Sequence, residues 1–308
     1  MNKTVLVTGG TGFIGSHVIE RLLEDKFDVI LLKRSYSDVW RVKNILEYIQ
    51  SYNIDEIKLE DIFKKEDIDS IFHIAAYYKK FHSSNDLDSL ISSNITFPVK
   101  LLELSNEYNV NHFINTGTFF EYSNKPLPVT EENTKTPFNL YAMTKIVFES
   151  ILKTYATKKE IKATTLNLFS TYGPKDNEYK LFPQLIKAAL KEEEIKLSQG
   201  FQKLDFVYVK DIASAYMQCM NNMDSLPNYD AINIGNGFPY SIREIVSVIE
   251  EILGKPIGKI WGNPAEEEID ITFASKDKSS SILKWAPKYS LHNGLNETIT
   301  YYRDEYDL

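Results

Sequence analysis

Twelve residues near the start of the chain, TVLVTGGTGFIG from Thr4 to Gly15, constrain its fold more than any other stretch. An apolar run (Val5, Leu6, Val7) ends in a glycine cluster, and an amphipathic segment with Phe13, Ile14, Val18, Ile19, Leu22 and Leu23 follows at once. That order reads as a buried strand, a tight turn and a helix, the arrangement that seats a dinucleotide pyrophosphate on backbone N–H groups. A side chain in the turn would block the approach of those groups, and one at Gly15 would hold the helix off the strand. Two spacings are present together: Gly10, Gly12 and Gly15 give G-x-G-x-x-G, while Gly9, Gly12 and Gly15 give G-x-x-G-x-x-G.

The first half of the chain alternates strand-like and helical patterns. Strands are predicted at Thr4–Thr8, Asp28–Leu32, Ser70–Ile74, His112–Asn115 and Ala163–Phe169, with helices at Gly15–Glu24, Ile91–Tyr108 and Ala142–Tyr155. Such alternation predicts an α/β fold of Rossmann type, a doubly wound parallel sheet with ligands at the carboxyl ends of its strands. After Tyr172 the pattern loosens. Helices at Phe182–Leu190 and Ser241–Leu253, short strands at Ile195–Leu197 and Leu204–Val209, and a polar strand-and-loop tail suggest a smaller lobe over the sheet. The expected division is a dinucleotide-binding domain over 1–172 and a mainly substrate-binding lobe over 173–308, with some segments returning to the first domain.

Charge and cysteine content narrow the function. With 35 basic against 43 acidic residues the net charge is −8, which argues against nucleic-acid binding. The single cysteine, Cys219, lies in an apolar helical stretch and reads as a small buried hydrophobe in a reducing compartment. No run approaches membrane-spanning length and no signal segment precedes the first strand, so a soluble cytoplasmic protein is expected. No metal site is expected.

Chemistry enters at Tyr141-Ala-Met-Thr-Lys145, where a phenol and an ammonium stand four apart at the start of a helix and share a face. An ammonium near the phenol is expected to stabilise the phenolate and lower its pKa from about 10 toward working pH. Tyr141 would then deliver a proton to a carbonyl as hydride arrives, or remove one in reverse. With the N-terminal glycines, this pair makes the chain resemble the extended short-chain dehydrogenases/reductases, the nucleotide-sugar epimerase, dehydratase and reductase group.

The resemblance runs nearly the whole length. Phe72-His-Ile-Ala75-Ala76 is similar to the family's fourth strand, whose small residues let the cofactor lie close, and Asn94 falls where the family has an asparagine in the next helix. Counting from Tyr122, Thr118 stands at the family's catalytic Ser/Thr, which implies a hydroxyl bonded to the substrate oxygen. Asp205–Asp211, Asn233–Gly237, Ser241–Glu244 and Leu283–Trp285 resemble marks of the nucleotide-sugar branch. The resemblance implies catalytic Thr118, Tyr141 and Lys145, with a cofactor held by Gly9, Gly12, Phe13, Ile14, Gly15, Ala75, Ala76, Tyr141 and Lys145.

Departures from the family pattern bear on specificity. Where many NAD-dependent members carry an aspartate after the second strand, this chain has Lys33 and then Arg34. Two cations there would attract a 2′-phosphate, so NADP(H) is favoured, with NAD(H) possible. The Asp-Glu pair that dehydratases carry after the catalytic threonine is replaced by Phe119-Phe120, and Cys219 is far in sequence from the place of an epimerase-reductase thiol. Redox chemistry at one sugar carbon remains: reduction of a 4-keto sugar, oxidation of a 4-hydroxyl, or 4-epimerisation. A reductase of a non-nucleotide carbonyl and a silent NAD(P)-sensing protein stay as alternatives.

The substrate side departs further. An arginine usual before the Asp-Phe pair is Leu204, another is missing where the chain reads Pro264-Ala-Glu-Glu-Glu268, and an expected asparagine is Ser170. Lys180, Lys203, Lys210 and Arg243 are the alternative donors for a diphosphate. The resemblance also implies a homodimer through the helices Ile91–Tyr108 and Ala142–Tyr155. A sedimentation mass near that of one chain at micromolar concentration would contradict it.

Overall fold

The structure, a computed structural model, describes residues 3–158, 161–262 and 269–307. Its strands are β1 (Thr4–Thr8), β2 (Asp28–Lys33), β3 (Gln50–Asn53), β4 (Ser70–His73), β5 (His112–Thr118), β6 (Lys162–Leu168) and β7 (Ser170–Tyr172) in the first part. Then come β8 (Ile195–Leu197), β9 (Lys203–Tyr208), β10 (Tyr229–Ile234), β11 (Pro239–Ser241), β12 (Lys259–Trp261) and β13 (Ile271–Thr272).

Seven strands form one sheet in the order β10-β6-β5-β4-β1-β2-β3, and every pairing in it is parallel. Parallel neighbours need crossovers, and helices supply them on both faces. Val18, Ile19 and Leu22 of the helix Phe13–Glu24 cover one face together with Ile212, Tyr216 and Cys219 of the helix Val209–Asn221. Leu101 and Leu102 of the helix Phe97–Glu107 and Phe148 and Leu152 of the helix Leu140–Lys158 cover the other. The chain order reverses between β1 and β4, which opens a crevice at their carboxyl ends. This is the predicted doubly wound fold.

The later part of the chain builds a second core from Leu185 and Ile186, Ile245 and Ile249, and Leu295 and Ile299. Small sheets β11-β9-β13, with β7 beside β9, and β12-β8 flank it. Not all of this part stays there, since β10 joins the main sheet beside β6 in register from Tyr229↔Ala163 to Ile234↔Leu168.

Two expectations are corrected. The tail is not only strand and loop, because Leu291–Glu305 is a helix capped by the Ser290 hydroxyl, which accepts the Asn293 N–H at 3.1 Å. Its buried face includes Gly294 and Thr298, which hide the apolar period, and a Cβ at Gly294 would meet the Tyr172 hydroxyl at 2.2 Å. The sheet also gains β3, an edge strand too polar (QSYN) to show in the apolar pattern. Among the described residues, no helix is long and apolar enough to cross a membrane.

Candidate active site

β1 ends in the glycine turn. Gly9 adopts φ +71°, and an added Cβ would stand 2.5 Å from the Ala75 amide nitrogen, so the turn packs directly on the segment after β4. A Cβ at Gly15 would meet the Gly9 carbonyl oxygen at 2.2 Å. Gly12 donates its N–H to the Gly9 oxygen at 3.0 Å and is the N-cap of the helix Phe13–Glu24, whose first turn carries no acidic side chain. Backbone amides and the helix dipole therefore point at the crevice without a carboxylate to oppose an anion.

From this cradle runs a cleft of about 1170 Å³. Pockets for a single drug-sized molecule hold roughly 300–1,000 Å³, so this cleft is larger than one such ligand needs. Gly9, Gly12, Phe13, Ile14, Gly15, Lys33, Arg34, Ala75 and Ala76 line it, as do Thr118, Tyr141, Lys145, Ser170 and Lys180. At the far end stand Lys196, Ser198, Gln202 and Leu204 of the second core.

Local interactions hold the middle of the cleft in place. Asn139 accepts the Ala142 N–H at 2.9 Å, starting the helix that carries Tyr141 in its first turn, and gives its own amide to the Lys80 carbonyl at 3.0 Å. Asn94 sits in a π-turn, Ser92–Thr96. From there its side chain donates to the Thr144 hydroxyl and the Tyr77 carbonyl, both at 3.0 Å, and accepts the Tyr77 N–H at 2.8 Å. That one amide ties the segment after β4 to the Tyr141/Lys145 helix. Thr118, at the end of β5, is nearly buried, with its hydroxyl capping the turn Phe119–Glu121. Tyr78 meets Tyr141 edge-on with ring centroids 4.9 Å apart.

The expected lowering of the Tyr141 pKa is not what these groups produce. Burial holds the phenol above its ordinary value, and Glu121, Tyr78 and Tyr216 add to the rise. Lys145 is fully buried, and burial pulls its ammonium down to about 8, with Glu121 and Glu149 opposing the drop. Desolvation outweighs the four-residue spacing because both groups lie within the protein.

Three proposed substrate donors do not line the cleft. Lys210 pairs with Glu297 at 2.7 Å. Arg243 lies between the Phe201 and Trp261 rings, 4.5 and 4.2 Å from their centroids, and gives its Nε–H to the Gln199 carbonyl. Lys203, at the start of β9, is exposed outside the cleft. Lys180 does line the cleft, over the Tyr78 ring at 4.7 Å, and burial lowers its pKa. Sequence reasoning missed Lys196; its place in a short strand beside Leu197 carries no signal that the strand edges a cleft. The segment Pro264–Glu268, which stands where the second arginine is expected, lies outside the described residues. Cys219 is fully buried, its thiol pushed up to about 12 by burial, as a structural cysteine should be.

At the end of the cleft beside β2, Lys33 gives its ammonium to the Asn53 side-chain carbonyl at 2.5 Å, and Arg34 reaches the Ser93 hydroxyl at 3.3 Å. Asp55, the nearby acid, is taken up by the Ser35 N–H at 2.8 Å and its hydroxyl at 2.6 Å. Beside Thr118 the cleft wall is aromatic: Phe119 stacks on Phe169 at 5.4 Å and Phe120 on Phe138 at 5.3 Å. Among the described lining residues Asp176 is the sole carboxylate, and burial pushes it up to about 6.

Comparison with known proteins agrees with this geometry. Residues 5–235 match the NAD dependent epimerase/dehydratase family. CDP-abequose synthase of Salmonella typhimurium is 27% identical over 310 residues, covering 97% of this chain and 98% of that protein. UDP-glucuronate 4-epimerase of Thermodesulfobacterium geofontis is 29% identical, covering 98% and 97%. Among solved structures, UDP-glucose 4-epimerase of Thermotoga maritima with UDP-glucose superposes with a TM-score of 0.90 at 28% identity, covering 98% and 99%. UDP-glucuronic acid 4-epimerase of Bacillus cereus with UDP-glucuronic acid and NAD does so at 0.88 and 27%, covering 98% and 100%. A glycine cradle that only Gly can form, a tyrosine and lysine on one helix face and a threonine on the facing strand thus accompany a match over most of the chain: it belongs to the NAD-dependent epimerase/dehydratase family, enzymes of the extended short-chain dehydrogenase/reductase type that work with a nicotinamide cofactor.

Proposed function

We propose that the chain is an oxidoreductase acting at C4 of a nucleotide-activated sugar, reducing a 4-keto group with NADPH. One observation carries this reading: Thr118, Tyr141 and Lys145 line a single cleft between the glycine cradle and the second core. A bound nicotinamide supplies or accepts the hydride, and every other task falls to the chain. In reduction the carbonyl carbon gains the hydride and the C=O π pair moves to oxygen. Tyr141 gives that oxygen its phenolic proton while the Thr118 hydroxyl hydrogen-bonds it. The resulting phenolate is stabilised by the Lys145 ammonium. Oxidation runs the same atoms in reverse.

The aromatic wall disfavours dehydration. Elimination needs an acid and a base next to the reacting carbon, and Phe119 and Phe120 supply neither. The relatives' 4-epimerase activities make 4-epimerisation the second reading. Lys33 and Arg34 favour the first, because two cations at the adenosine end suit a 2′-phosphate and hence a reductant that comes and goes. In place of the missing arginines, Lys180 and Lys196 with Gln202 would hold the diphosphate. The homodimer reading is supported by Ile91, Met143 and Val147, apolar residues left exposed on the two helical stretches that would pair.

The experiment is binding of GDP, UDP, CDP and dTDP to the cofactor-loaded protein. At least one should raise the Tm with clear preference among bases, at micromolar affinity, about 8 kcal/mol. If none binds at millimolar concentration, the nucleotide-sugar reading gives way to a small-carbonyl reductase.

A further inference from the structure

Behind the Tyr141/Lys145 pair lies a cluster of charges that the reaction as described does not use. Glu121, three residues past Thr118, is completely buried and accepts the Thr118 N–H on Oε1 at 2.9 Å. Its second oxygen takes the Lys135 ammonium at 2.8 Å. Lys135 arrives there because its segment runs back antiparallel along the turn, pairing Lys135 with Tyr122 and giving the Ser123 N–H to the Thr134 carbonyl at 2.8 Å. The same ammonium also bonds Glu149. Glu149 lies one helical turn after Lys145 and accepts the Tyr229 hydroxyl from β10 at 2.7 Å.

We propose that Glu121 and Glu149, bridged by Lys135, are positioning residues that fix Thr118 against the Tyr141/Lys145 helix and keep the Lys145 ammonium charged. The mechanical half follows from connectivity. Thr118 ends β5 and Tyr141 begins the next helix, and the Glu121–Lys135–Glu149 bridge is a direct polar tie between those elements. The electrostatic half follows from burial. An ammonium enclosed in protein releases its proton unless opposite charge faces it. Lys145 is 2% exposed and has no hydrogen bond or ion pair among the described residues.

Charged and titratable groups face the pair from several elements. Glu121 after β5, Glu149 on the same helix and His73 at the end of β4 act on Lys145, while Tyr78 after β4 and Tyr216 on the helix Val209–Asn221 face Tyr141. His73 is held neutral, chiefly by burial and then by Lys145 itself, so it adds no competing cation. The two carboxylates are therefore the groups that favour a charged Lys145, and Lys135 keeps them ionised beside each other. Burial raises Glu121 to about 7 against the pull of Lys135, while at Glu149 burial is overcome by Lys135 together with hydrogen bonds from Glu121 and Tyr229, which hold it below its ordinary value. Above pH 7 both are anions, in the range where Lys145, at about 8, begins to lose its proton.

This inference rests on the Tyr141/Lys145 chemistry proposed above, not on the identity of the sugar. It is tested with Glu121→Gln and Glu149→Gln in the full chain, reading kcat/KM against pH with any carbonyl that supports NADPH oxidation. Activity that needs a charged Lys145 falls as pH rises through the Lys145 value, and removing a facing anion lowers that value. In both variants the alkaline limb should move to lower pH by about half a unit or more. The amide that Glu121→Gln introduces still offers an oxygen to the Thr118 N–H, so a purely structural role leaves the limb in place. Glu149→Gln leaves the Glu121 bond to the Thr118 N–H in place and decides the matter if Glu121→Gln does not fold. Folded variants with the wild-type limb would overturn the proposal, and the nucleoside diphosphate titration judges the sugar reading separately.

Discussion

Replacing Tyr141 by phenylalanine is expected to lower kcat by roughly two to four orders of magnitude, the usual worth of a positioned acid/base group. The substitution deletes one hydroxyl. The ring remains, and with it the edge-on contact to Tyr78 at 4.9 Å, so the fold and the cofactor cradle should be unaffected. Titration should give cofactor affinity within a small factor of the parent, and the loss should fall on turnover. Burial strengthens the expectation, since no other proton donor of the described lining residues lies on that helix turn except Lys145, whose charge is needed where it is. Turnover near the parent's on the true substrate would remove Tyr141 from its assigned part.

The second large effect concerns the cofactor. Converting Lys33 to methionine and Arg34 to alanine together should weaken NADPH at least about tenfold while leaving NADH nearly unchanged. Two charge-assisted contacts to a 2′-phosphate are each worth on the order of 1.5–3 kcal/mol, and part of that is offset by the present partners Asn53 and Ser93. Asp55 cannot replace the family's ribose-gripping aspartate in its present place, being bonded to Ser35. Direct calorimetry of both cofactors checks this. Equal affinities in the unmodified protein would show that the two cations form only a basic turn beside NAD(H).

What could be read from the sequence was local. The glycine cradle is visible because strand, turn and helix are contiguous and because only glycine fits where a Cβ would lie 2.2 to 2.5 Å from backbone atoms at Gly15 and Gly9. The Tyr141/Lys145 pair is visible because helical spacing fixes it, and Thr118 because the resemblance counts back from Tyr122. Features assembled from distant segments were not legible. Glu121, Lys135 and Glu149 look like three scattered charges until the turn after β5 folds back on itself. Arg243 and Lys210 carry the right charge for a diphosphate, yet aromatic rings and Glu297 claim them. The last helix was hidden because a glycine and a threonine fill its buried face where Tyr172 and Tyr208 come close.

In the proposed reaction this cleft passes a hydride to or from C4 of a nucleotide-bound sugar while Tyr141 handles the proton. The most direct measurement supplies NADPH deuterated at the transferable position, with a nucleotide-linked 4-keto sugar on the base chosen by the binding titration, and locates the label by NMR. One deuterium is expected at C4 of the product sugar, equal in amount to the NADP⁺ formed, with transfer slowed by roughly two to four orders of magnitude in Tyr141→Phe. Label appearing at another carbon, or consumption of NADPH with no label in the sugar, would contradict it.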